Sequence, residues 1–388
     1  MLSQLLSGIS VMSFMILLLI LLLRRLKQPY FIAYILSGVL LGPHVLNIIH
    51  EVDVILELGD IGIVFLLFSV GNEIDLQYLK HNFVQPLLIA LVQVLLSFIC
   101  MLSIGSFTGW KFTTTILLAF VISISSSAIV FQYLARTGEI KSRLGAITCG
   151  VLLLQDILVI PMMLVLNCLS GTSVSSFQLL KVFFGAALMI LFLRACVTRK
   201  MLKIPKGKEI AADHELQVFI GFSLCFGMAW LSGWFGLSTA FGAFISGILI
   251  GHDKATRWLG KSLIPFKVFF MAFFFMAVGL QLDVYFFTAN ALTIILISLA
   301  VLVINSFLNA MLFKVVKNSW RDSIYGGALL AQIGEFSFVL MSLAAALQLV
   351  EEFTYQLTLS VITLTMLLST IWLMVIQGII YTKNPHLN

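Results

Sequence analysis

The stretch GVLLLQDILVIP, residues Gly150 to Pro161, sets Gln155 and Asp156 inside a run that is otherwise apolar enough to cross a bilayer. A carboxylate at membrane depth costs at least ~2.5 kcal/mol, so it normally faces a cavity and serves an ion or proton pathway. Burial disfavours its charged form, whereas a bound cation favours it. One carboxylate over which a proton and a cation compete, opened alternately to each side, is sufficient for exchange. Gln155 cannot ionise and is expected to add oxygen ligation without a second proton. The alternative for Asp156 is a hydrogen-bonded acid that only fixes helix packing. Pro161 removes a backbone donor and is expected either to bend this helix or to sit in it as a passive kink.

The rest of the chain supports a membrane setting. Hydrophobic residues make up 61% of 388 and charged residues 10%, a balance that the surface of a water-soluble domain of this size does not tolerate. The apolar runs are about 20 residues long rather than short and alternating, so the expected fold class is an all-α polytopic membrane protein, not a β-barrel. About thirteen transmembrane helices are expected, starting near residues 2, 29, 54, 84, 112, 144, 177, 216, 236, 266, 287, 323 and 353. The chain reads as a single transmembrane domain over 1–388, in two halves with a hinge near 199–215.

Net charge of +6 would suggest nucleic acid for a soluble protein, but here topology accounts for it and no nucleic-acid partner is expected. Basic residues such as Arg24, Arg25, Lys27, Arg143, Lys261 and Lys314 follow odd-numbered spans, while Glu51, Asp53, Asp283, Glu351 and Glu352 collect at the other side. This puts the N-terminus outside and the C-terminus in the cytoplasm, with the cell membrane as the expected location. The five cysteines are scattered through apolar runs without metal or redox spacing, and the six histidines show no pair at ligand spacing. No cofactor is expected beyond the transported ions.

Two further stretches interrupt the apolar pattern. VISISSSAIVF (Val121 to Phe131) and AQIGEFSFVL (Ala331 to Leu340) are polar and poorly helical, at corresponding late positions of the two halves. Paired interruptions point to inverted repeats whose two broken helices meet at the midplane. Ser125, Ser126 and Ser127 supply hydroxyls and freed carbonyls suited to an alkali cation at Asp156; close helix packing is the competing reading. Glu335, within Gln332, Gly334 and Ser337, is a second deep acid that offsets a half-helix N-terminus or takes part in transport. Asn305 and Asn309 lie one turn apart and face a cavity or bond another helix. Glu73, Asp75 and Asp283 end spans and read as interfacial caps.

Taken together, AYILSGVLLGP (33–43), LFSVGNEID (67–75), ISSSA (124–128), LLLQDILVIP (152–161), GAFISGILI (242–250), PFKVFFMAFFFMAVGLQLD (265–283) and QIGEFSFV (332–339) resemble the membrane domain of Kef-type potassium/proton antiporters, in the second cation:proton antiporter family. The resemblance covers nearly the whole chain. It implies a sodium/proton antiporter-like fold of thirteen helices with inverted repeats and two crossed broken helices, elevator-type alternating access and a homodimer. It also implies that Asp156 binds cation or proton, with the preceding Gln155 marking the Kef-like branch.

Two departures stand out. Where the family usually carries a lysine deep in the span before the second broken helix, this chain has Asn305. Asp156 and Glu335 are then the only deep titratable groups expected, which favours electroneutral one-for-one exchange. Kef-type proteins also continue into a regulatory nucleotide-binding domain, whereas this chain has no GxGxxG stretch and stops at Asn388. Either the chain is a truncation or it is a naturally short, ungated relative; the loop before Pro265, which lacks the acidic residues that contact such a domain, argues mildly for the second. The competing functions are a sodium/proton antiporter or a channel-like potassium efflux pathway on the same fold, and, from other classes, a non-transporting sensor or an intramembrane enzyme. Neither a Ser-His-Asp set nor a metal-ligating histidine set is present for the enzyme.

Overall fold

The computed structural model describes residues 2–25, 28, 30–49, 52–73, 84–139, 142–170, 181, 184, 185, 187–189, 191, 213–237, 239–252 and 257–381. In chain order its helices are α1 (Leu2–Arg25), α2 (Tyr30–Leu41), α3 (Val52–Glu73), α4 (Val84–Thr108), α5 (Phe112–Ser123), α6 (Ser127–Thr137), α7 (Arg143–Leu169) and α8 (His214–Trp234). There follow α9 (Thr239–His252), α10 (Arg257–Ser262), α11 (Ile264–Gln281), α12 (Val284–Ala289), α13 (Ala291–Val315), α14 (Trp320–Leu329), α15 (Phe336–Ala346) and α16 (Glu352–Tyr381). Eight of them, α1, α3, α4, α7, α8, α11, α13 and α16, are long and apolar enough to cross a membrane, and α2, α5, α9 and α15 are shorter apolar helices. The chain is a multi-pass integral membrane protein. Every expected span start except that near 177, which lies mostly outside the described residues, has a helix beginning within a few residues of it. The hinge at 199–212, Asp75 and the side chain of Glu73 also lie outside them.

The chain divides into two compact units. One holds 49–78 and 171–279. Its α3 and α9 approach backbone to backbone, because a Cβ on Gly247 would lie 2.0 Å from the Phe68 carbonyl oxygen and one on Gly71 2.2 Å from that of Phe244. Small residues allow such contact where lipid gives helices no hydrophobic reason to associate. Beside this seam Phe65 stacks on Phe270 at 5.1 Å and packs against Phe222 and Phe226.

The other unit holds 1–48, 79–170 and 280–388, and within it a pattern recurs: long helix, broken helix, long helix. The first series is α4, α5 with α6, then α7; the second is α13, α14 with α15, then α16. The first break falls where Ile124 turns extended (φ −98°, ψ 123°) ahead of serines whose hydroxyls compete for backbone partners. The second runs from Leu330 to Glu335. α7 begins at Ser142, whose side chain accepts from the Gly145 N–H, and continues unbroken past Pro161, which faces outward. Pro161 is therefore passive, an outcome open in the sequence. Asp283 caps α12 by accepting from the Tyr285 and Phe286 N–H groups, as the cap reading expects.

Candidate ion site at the crossed breaks

The two interruptions meet. The Gly334 N–H donates to the Ile124 carbonyl at 2.8 Å, and a Cβ on Gly334 would stand 2.5 Å from the Ser125 carbonyl oxygen, so only glycine permits the approach. The Ser125 hydroxyl donates to the Leu330 carbonyl at 2.9 Å, and that of Ser337 to the Val121 carbonyl at 2.8 Å. Each break thus supplies donors for carbonyls that the other has freed, which is how non-helical backbone survives at membrane depth.

Charge is arranged by which helix ends come together. Glu335 precedes α15, and its carboxylate accepts from the hydroxyls of Ser126 at 2.6 Å and Ser127 at 3.1 Å, at the start of α6. It sits between two N-terminal helix ends, each worth roughly half a positive charge. Asn305 serves the opposite ends: its Nδ2 donates to the Ile122 carbonyl at 3.1 Å and to the Ala331 carbonyl at 3.2 Å. One turn on, Asn309 Nδ2 donates to the Asn305 carbonyl and to that of Leu330. Both asparagines bind backbone of the breaks, so Asn305 meets with a neutral amide the carbonyl ends that a lysine would meet with charge.

α7 packs against α5, α6, α14 and α15, so Asp156 rides on a helix that touches all four half-helices. Gln155 and Asp156 are 1% and 3% exposed. Gln155 Oε1 accepts from the Ser125 N–H at 3.0 Å and its Nε2 donates to Gln93 Oε1 on α4 at 2.9 Å. The second series repeats part of this, with Thr365 Oγ1 of α16 accepting from the Ile333 N–H at 3.4 Å. Gln332 is buried, and neither side-chain polar atom has a partner among the described residues.

The arrangement therefore gathers Ser125, Ser126, Ser127, Asn305, Gly334, Glu335 and Ser337 into one hydrogen-bonded crossing, reached by Gln155 from α7. Gln155 differs from its sequence expectation in one respect: the oxygen expected to ligate is already engaged with backbone, with one lone pair to spare. Gln93 and Thr365 were not anticipated. Gln93 carried a signal, as an amide inside the apolar run LLIALVQVLL, but Thr365 carried none. The donors here are hydroxyls, amides, carbonyls and carboxylates, a hard-oxygen set that suits alkali cations.

The family described as sodium/hydrogen exchanger, transmembrane, matches residues 11–376. The chain is 29% identical over 351 residues to the iron transporter MagA of Paramagnetospirillum magneticum, covering 90% of this chain and 81% of that one. To K(+) efflux antiporters 4 and 5 of Arabidopsis thaliana it is 29% and 30% identical, over 91% and 88% of this chain. It spans 61% of the length of each of those plant proteins. Among solved structures, the sodium proton antiporter MjNhaP1 from Methanocaldococcus jannaschii superposes with a TM-score of 0.67 at 16% identity, over 98% of this chain and 99% of that one. At that identity the likeness speaks for the fold.

Proposed function

The chain belongs to the sodium/hydrogen exchanger transmembrane family of cation/proton antiporters, and from that premise we propose that it exchanges potassium for protons, one for one, at Asp156. The observation that carries this reading is the division of labour at the crossing. Glu335 is engaged by two serine hydroxyls between helix N-termini, and the helix C-termini are met by the neutral Asn305. Asp156, 3% exposed on the helix that touches all four half-helices, is the acid to which this reading assigns the exchanged proton or cation.

Exchange follows from the cost of moving that charge. With a proton or one monovalent cation bound, Asp156 is neutral and the site reorients; when empty it carries a charge at membrane depth and stays. The serines, the Gln155 oxygen and the carbonyls of the breaks complete the cation's shell. The cross-linked breaks support an elevator-type step, in which the elements carrying the site move as one body. Potassium is favoured by the plant relatives, which are K(+) efflux antiporters, and sodium is the second reading, favoured by the structural neighbour, a sodium proton antiporter. The protein works in this reading as a homodimer in the cell membrane, N-terminus outside.

Proton flux in proteoliposomes with an interior pH dye tests the proposal. Adding K⁺ outside should dissipate an imposed proton gradient in the wild type, at a rate unchanged by clamped voltage, and do nothing in Asp156→Asn. Flux that survives Asp156→Asn, or needs no counter-ion, sinks it.

A further inference from the structure

Gln93 lies on α4, 1% exposed, and bonds the residue that precedes Asp156. Its Oε1 accepts from Gln155 Nε2 at 2.9 Å, while the Ser125 N–H donates to Gln155 Oε1 at 3.0 Å. The backbone donor fixes which end of the Gln155 amide is oxygen, and an amide held at both ends cannot turn over. Near this pair α4 and α7 are in close contact, since a Cβ on Gly150 would lie 2.6 Å from Pro86 Cγ. Gln93 Nε2, by contrast, has no partner among the described residues. A buried donor left open is costly at this depth, so packing alone does not account for an amide here.

We infer that Gln93 is a positioning residue for the cation: by holding the Gln155 amide it keeps the free lone pair of Gln155 Oε1 available beside Asp156, and so sets cation affinity. This rests on the antiport reading and deepens it. Without an acceptor at position 93 the Ser125 N–H alone holds the Gln155 amide, which can then swing out of that single bond and turn towards the site N–H groups that repel a cation. Supporting groups of this kind typically change ion affinity by about 10–100-fold while leaving the chemistry in place. The effect falls on the cation and leaves the proton-carrying acid alone.

The test uses the full chain in proteoliposomes, with K⁺ as the varied ion, and reads both the K⁺ concentration for half-maximal proton flux and the maximal rate. Gln93→Met keeps the length of the side chain and loses the acceptor; Gln93→Glu keeps an acceptor in either protonation state. The expected result is that Gln93→Met raises the half-maximal K⁺ concentration at least about tenfold with little change in maximal rate. In Gln93→Glu that concentration should be no higher than in wild type. An unchanged Gln93→Met, or equal weakening in both variants, overturns the inference while K⁺-driven flux lost in Asp156→Asn leaves the antiport reading standing. A wild type without K⁺-driven flux overturns that reading, and this inference with it.

Discussion

The hydroxyl of Ser126 donates to the carboxylate of Glu335 across 2.6 Å, joining two breaks that stand 209 residues apart in the sequence. Neither break is stable by itself, because each leaves backbone groups without helical partners in a medium that supplies none. Removing this donor takes away the shorter of the two serine contacts to Glu335. Ser126→Ala should cost ~1–3 kcal/mol, the usual penalty for an unsatisfied buried polar group. Thermal unfolding of the detergent-solubilised protein should show a lower midpoint for Ser126→Ala than for Ser127→Ala, and the reverse order would contradict the assignment.

Gly334 is fixed by contact with backbone, which cannot give way. A methyl group there would meet the Ser125 carbonyl oxygen at 2.5 Å and the Ser126 nitrogen at 2.8 Å. Gly334→Ala should abolish exchange and lower the yield of folded protein. Gly227 on α8 has nothing within 4 Å of its Cβ position, so Gly227→Ala should be neutral or slightly stabilising. Size-exclusion profiles and flux of the two variants side by side check the contrast.

Asn305 holds the Ile122 and Ala331 carbonyls with a neutral amide. An ammonium in its place would add a charge that moves with the site or leaves it on each cycle. Asn305→Lys should therefore make exchange respond to membrane voltage, whereas wild-type exchange should not. Flux at two valinomycin-clamped potentials reads this directly; equal voltage response in the two proteins would remove Asn305 from the account of electroneutrality.

Competition at one carboxylate gives a pH dependence of definite sign. Lowering pH fills Asp156 with protons, so more cation is needed to displace them. The half-maximal K⁺ concentration should rise as pH falls, approaching about tenfold per unit once Asp156 is mostly protonated. Raising pH should lower it towards a plateau. A half-maximal concentration that ignores pH would mean that proton and cation do not share a site.

Much of this site was legible in the sequence because polar residues stand out against lipid-length apolar runs. Asp156, the three serines and Glu335 stood out, and the paired interruptions predicted that two broken helices would meet. The partners could not be read. That Ser126 and Ser127 engage Glu335 while Ser125 engages Leu330 depends on the angle at which the breaks meet, set by Gly334 and by nothing in the hydropathy pattern. Gln93 was not singled out, and its link to Gln155 needed the register of α4 against α7. Thr365 was hidden, since a threonine in a membrane helix usually bonds its own preceding turn, as this one does with Ile362 while also receiving the Ile333 N–H. Asn305 was legible as a departure and, with Asn309, as an amide that faces a cavity or bonds another helix; which carbonyls it takes came only from the structure.

The most direct test of the central claim, that one carboxylate is shared between a proton and a cation, is to count protons released when K⁺ is added to the purified protein in weakly buffered detergent solution. At a pH where Asp156 is largely protonated, saturating K⁺ should release close to one proton per chain from the wild type and none from Asp156→Asn. Equal release from both, or none from a wild type that binds K⁺, would contradict it.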